Sequence, residues 1–135
     1  MNLRFQNGNK LFELACIVED NPEFSHHGDA YAIIKIASQG FEGETHCWIA
    51  AKALADFRKH LGNLSKAHKG TVPLASMDPD ELALKVRAVD DGARLSIEGK
   101  AGNWVDGTWH GITFGFTFEP EQLAIALTTH AGGSP

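Results

Sequence analysis

The sequence predicts a single α+β domain: a largely antiparallel sheet of about six to eight strands, one long central helix and a C-terminal helix packed on it. Three observations predict it. Apolar and polar residues alternate with period two in short runs separated by turn residues, most clearly over residues 82–88 and 112–118. A helical period takes over at Ala50, Ala53, Leu54, Phe57, Leu61 and Leu64, which fall on one stripe. Helical segments do not alternate with single strands, which argues against a parallel doubly wound sheet.

The elements follow in order. Asn7-Gly8 tolerates positive φ and joins two apolar arms as a hairpin. The second arm runs to Val18 and stops at Asp20-Asn21-Pro22, before a polar loop made mobile by Gly28. Residues 31–37 are nearly all apolar and read as a central strand buried on both faces; Gly40 breaks it, and residues 41–49 resume in extended form. In the helix, Lys52, Asp56, Lys59 and Asn63 oppose the apolar stripe, and Gly62-Asn63 should loosen its end. A short strand over 71–77 leads to a turn at Asp78-Pro79-Asp80-Glu81. After the strand at 82–88, Asp90-Asp91-Gly92 turns the chain back through Leu95 and Ile97. Residues 99–107 read as a glycine-rich loop carrying Trp104. Ile112, Phe114, Phe116 and Phe118 then alternate with small residues, and Pro120 starts a last helix facing Leu123, Ala126 and Leu127 inward. Residues 1–131 make the domain and 132–135 a flexible tail.

At 135 residues the chain has the length of one domain that needs no staples. The first ten residues lack a basic start followed by an apolar core, and no apolar run reaches about 18 residues, so neither a secretory signal nor a membrane span is expected. Cys16 and Cys47 sit in apolar strand-like runs and read as buried free thiols, which suit the cytoplasm. The net charge of −5 is uneven: residues 52–69 hold five basic side chains against Asp56, a net of +4, which leaves −9 elsewhere. An acidic body disfavours nucleic acid and favours a basic protein partner.

Several constellations could carry chemistry. Glu42, Glu44 and His46 alternate along one strand and would share a face, a set able to hold a divalent metal or move a proton. His26-His27 beside Asp29 is a second metal candidate. An exposed strand face with alternating polar residues accounts for the first set, and the second lacks a third ligand of known position, so no metal and no cofactor is expected. Cys47 and His46 are adjacent on a strand and face opposite ways, and neither a Gly-x-Ser-x-Gly elbow nor a phosphate loop is present. No catalytic residue is expected. Trp104, Trp109 and His110 flank a glycine-containing segment and could anchor a partner, since tryptophan buries much area with few rotors. Asp78, Asp80, Glu81, Asp90 and Asp91 lie at the two ends of one strand and could speed capture of a basic partner.

Trp48, then Leu54-x-x-Phe57-x-x-x-Leu61-x-x-Leu64, Gly70-x-x-x-Leu74-Ala75-Ser76, Leu82-x-Leu84 and Gly92 together resemble a pattern in small bacterial proteins. These are the immunity proteins of WapI-type contact-dependent toxins and related families of unknown function, and the resemblance covers residues 48–99. It implies a non-enzymatic cytoplasmic antidote that binds a toxin domain and occludes it stoichiometrically. Two other readings stand beside it: a self-associating protein, for instance a homodimer, and a metal-dependent hydrolase or small-ligand binder.

Overall fold

Two four-stranded sheets, not one, carry the molecule. The computed structural model describes residues 1–133, with side chains to Thr128. Among the described residues the order is β1 (Asn2–Asn7), β2 (Lys10–Val18), β3 (Ala30–Ser38), β4 (Phe41–Ile49), α1 (Ala51–Ala67), β5 (Thr71–Ala75), β6 (Leu82–Val89), β7 (Arg94–Val105), β8 (Thr108–Phe118) and α2 (Pro120–Gly133). The first four strands form sheet 1 and the last four form sheet 2, each in sequence order with antiparallel neighbours.

This corrects the expected α+β class. The protein is mostly β, its strands divide between two sheets, and no single long central helix organises them. The helices, 17 and 14 residues long, each close one half of a ββββα unit used twice. The error has a physical source. Alternation reveals that a segment is a strand, but sheet membership is decided by which edge the next strand meets. After α1 the chain re-enters as β5, which ladders with β6 and not with β4. The expected tail begins at residue 132, where α2 still runs to Gly133; residues 134–135 lie outside the described residues.

The inner faces of the two sheets meet through aromatic rings. Phe5 of β1 stacks on Phe118 of β8 with centroids 4.2 Å apart, and Phe12 of β2 stacks on Phe114 of β8 at 5.7 Å. Leu54, Phe57, Leu61 and Leu64 of α1 and Leu123 of α2 join the same buried cluster. The helices are exchanged between halves: α1 packs along β5 and α2 along β1. Each thereby covers an edge strand that would otherwise offer unpaired backbone groups. On β1 the cover includes a mimic of strand pairing, since the Gln122 side-chain amide accepts from Gln6 N–H and donates to Gln6 C=O, both at 2.8 Å.

Helix α1 passes Gly62 without a break and ends at His68, whose left-handed backbone (φ 56°) lets its N–H reach Leu64 C=O. Packing of the Leu61 and Leu64 face outweighs the glycine's preference of about 1 kcal/mol. At the other end Ala50 offers no side-chain cap; the Asp29 carboxylate, reaching from the β2–β3 loop, accepts the Ala51 N–H at 2.9 Å instead. Asp29→Ala is therefore expected to cost about 1 kcal/mol, read as a lower urea midpoint at unchanged slope. An unchanged midpoint would show that the loop contributes nothing to the helix.

The glycine-rich stretch at 99–107 is not a loop. Strand β7 runs through it to Val105, and the turn is Asp106-Gly107. Its glycines serve close approach: a Cβ on Gly99 would press on the Ala83 carbonyl and sit 2.7 Å from Leu84 Cα on β6. No helix among the described residues is long and apolar enough to cross a membrane.

Candidate binding surface

Each sheet turns one face to the core and one outward, and cross-strand register decides what the outer face of sheet 1 carries. Residues directly opposite in an antiparallel pair share a face. Ile17 pairs with Tyr31 and Tyr31 with Trp48, which places an apolar row across three strands. The next row is Ala15, Ile33 and His46, and the one beyond it Arg4, Glu13, Lys35 and Glu44. This last row alternates in sign, with Arg4–Glu13 at 3.3 Å and Lys35–Glu44 at 3.8 Å.

The β2–β3 loop folds its own rings against the apolar row. Its neck is pinned by backbone bonds from Glu19 N–H to Asp29 C=O and from Gly28 N–H to Glu19 C=O, at 2.9 and 2.7 Å. This closure places His26 so that it stacks on Phe24 (centroids 5.4 Å apart) and meets Trp48 edge-on (4.6 Å). Trp48 in turn meets Tyr31 edge-on at 5.4 Å. Ile17 remains 63% exposed and Phe24 49%, so the row and the loop present apolar surface to solvent. Beyond Ile33 the face deepens into a groove of about 690 Å³, walled on the far side by Ile125 and Ala126 of α2.

His46 is fully engaged here. The Tyr31 hydroxyl lies 2.6 Å from Nδ1, and Nε2 lies 2.9 Å from Glu44 Oε2; the tautomer that satisfies both has the phenol donating and Nε2–H donating. The hydrogen bond from His46 is the main reason the Glu44 carboxyl ionises below its ordinary range. Such a chain can relay a proton, but His46 and Glu44 are 42% and 50% exposed, and acid–base catalysis gains most where water is excluded. Its structural effect is to fix the Tyr31 ring. Glu42 takes no part in this hydrogen-bonded chain: with Glu44 it borders a cleft of about 270 Å³ between the sheets, lined also by Phe41, Asn103, His110 and Ile112. His26 Nε2 approaches Glu19 at 3.9 Å, and His27 contributes a backbone bond to Phe24 C=O. Among the described residues no group of three or more His, Cys, Asp or Glu side chains could hold a metal ion.

The residues singled out on sheet 2 are brought together in part. Trp104 and Trp109 pair across the β7–β8 turn. Trp109 lies over Gly102 and Gly111, where a Cβ on Gly102 would sit 2.8 Å from the indole, and its Nε1–H donates to Asp80 C=O at 2.9 Å. The Asp80 carboxylate accepts from Lys100 Nζ at 3.1 Å and from Trp104 Nε1–H at 3.2 Å, which hold its ionisation below the ordinary range. Asp78 accepts the Asp80 N–H, while burial and Asp78 push the Glu81 carboxyl up. Asp90 and Asp91 lie at the far end of β6 in a 3-10 turn, Asp90 facing Arg94 at 3.8 Å. The five acids thus form two separate groups, and Asp80 and Asp90 are each matched to a local cation. Cys16 and Cys47 are free and face the core, where burial pushes the thiols up to about 11 and about 12.

The arrangement defines a class: a twice-used ββββα unit with a partly exposed aromatic face on its first sheet. No family model and no curated protein matches the chain. Among solved structures it is similar to the plant transcriptional regulator PBF-2, with a TM-score of 0.51 and 10% identity over 98% of this chain and 79% of that one. At that identity the likeness shows a shared fold alone.

Proposed function

We propose that this chain is a non-enzymatic, cytoplasmic protein-binding module of the toxin-neutralising kind, which acts by occupying its partner stoichiometrically. The observation that carries the reading is the outer face of sheet 1, where exposed Ile17 and Phe24 adjoin half-buried Tyr31 and Trp48, a row that the β2–β3 loop covers only in part. Contiguous exposed apolar surface rimmed by polar groups is what interaction sites present, and Trp and Tyr are the side chains most enriched among residues that dominate binding energy. The resemblance to immunity proteins supports the same reading. Of the residues that carry it, Leu54, Phe57, Leu61, Leu64, Leu74, Ser76, Leu82 and Leu84 are buried, Trp48 lies in the aromatic row, Gly70, Ala75 and Gly92 complete the pattern, and a Cβ on Gly92 would meet the His68 carbonyl.

Tagged protein incubated with lysate of its native cell should retain one partner, and size-exclusion chromatography with light scattering should give one partner per chain. An empty capture by a protein that is itself a stable oligomer would sink the reading and favour self-association. The small-ligand alternative narrows to the cleft holding Glu42 and His110. Its 270 Å³ falls just below the roughly 300–1,000 Å³ of pockets that enclose drug-sized ligands, which ranks it second.

A further inference from the structure

Charge is distributed unevenly over this same surface. The sequence holds no lysine or arginine between Lys10 and Lys35, and within that span lie Glu13, Glu19, Asp20, Glu23 and Asp29. Three of the five have work within the fold: Glu13 pairs with Arg4, Asp29 caps α1, and Glu19 accepts the Asn21 N–H at 3.0 Å with His26 Nε2 3.9 Å away. The cations nearest in the ladder are committed too, Lys35 to Glu44 and Arg4 to Glu13. Asp20 and Glu23, both exposed, therefore stand at the aromatic end with no lysine or arginine on their own segment. The rings they flank, His26, Trp48 and Tyr31, present edges and faces at centroid spacings of 4.6 and 5.4 Å.

Aromatic faces next to carboxylates suit one side chain above others. A guanidinium is planar, stacks on Trp and Tyr, sheds water more readily than an ammonium and bonds carboxylates through two parallel donors. We propose that the aromatic end of sheet 1, with the 19–29 loop as its acidic rim, is the docking site for a basic, arginine-bearing segment of a partner protein. The proposal rests on the protein-binding reading and names the partner's chemistry. Arginine stacks on Trp48 and Tyr31, Asp20 and Glu23 take its charge, and the apolar remainder of the segment runs past Ile33 into the groove beside α2.

The test titrates the full chain with a short fluorescein-labelled peptide of alternating arginine and alanine, and with the same peptide carrying citrulline, which keeps the shape and lacks the charge. The arginine form should bind saturably and weaken as salt is raised, because exposed charges are screened. The citrulline form should bind about tenfold more weakly or worse, the scale of one desolvated cation–π contact. Trp48→Ala should lose as much, and so should the Asp20→Asn, Glu23→Gln double variant, whose exposed changes leave folding intact. Equal binding of the two peptides, or binding that the double variant leaves unchanged, overturns the proposal. A captured protein that binds the double variant and Trp48→Ala as tightly as the parent removes this docking site while the protein-binding reading stands. Self-association that the same variants weaken would instead assign the surface to a second copy, whose α1 carries Lys52, Lys59 and Lys66, and would overturn the foreign partner.

Discussion

A Phe5→Ala variant is expected to lose about 3–5 kcal/mol of stability, a large fraction of the 5–15 kcal/mol a domain of this size holds. Phe5 is fully buried and is the ring at which the two sheets meet, stacked on Phe118 at 4.2 Å and on Phe12 at 6.3 Å. Its removal loses the transfer energy of the ring, leaves a cavity between sheets that cannot close without moving β1 against β8, and breaks a ring pair contributing about 0.5–1.5 kcal/mol beyond area. Thermal and urea unfolding would measure it, with a melting temperature lower by roughly 10–20 °C. A single cooperative transition is expected, because both halves share one buried cluster. Two transitions, or a loss under 1 kcal/mol, would show instead that each sheet with its helix stands alone.

What the sequence made legible follows from the range over which each signal acts. Strands at 82–88 and 112–118 were readable because alternation is local, and so was the helix carrying Leu54, Phe57, Leu61 and Leu64. The repeat of ββββα was not, since the halves share packing roles rather than residues at a fixed period. Glycine misled at Gly99, where the residue permits β6 to lie close, and turn chemistry was inferred in place of contact. The aromatic face of sheet 1 was hidden for a related reason. Residues 31–37 read as apolar on both faces and hence buried, yet Tyr31 and Ile33 stand on the open side. Ile17, Tyr31 and Trp48 become neighbours through register alone, which only the paired strands reveal. One signal was available in the sequence, the span from Lys10 to Lys35 with acids and no lysine or arginine.

Replacing Ile17 by lysine separates binding from folding at this surface. Ile17 is 63% exposed at the end of β2, so the folded state depends little on it, and the change should cost no more than about 0.5–1 kcal/mol through strand preference and lost contact with Tyr31. In a complex the same position lies in the apolar row, beside Tyr31. There a lysine would have to be desolvated among rings and would meet a partner of its own sign, with both effects opposing association. Affinity for the captured partner is expected to fall by about 30-fold or more, the 2 kcal/mol that marks a dominant interface residue. Val105→Lys is the matched control, since Val105 is 50% exposed on the other sheet, at the β7–β8 turn. It should leave affinity unchanged. Loss of binding in the Val105 variant with none in the Ile17 variant would move the interface to the tryptophan hairpin of sheet 2. Equal loss in both would mean that any added positive charge weakens the complex, so that overall charge, and not the aromatic row, selects the partner.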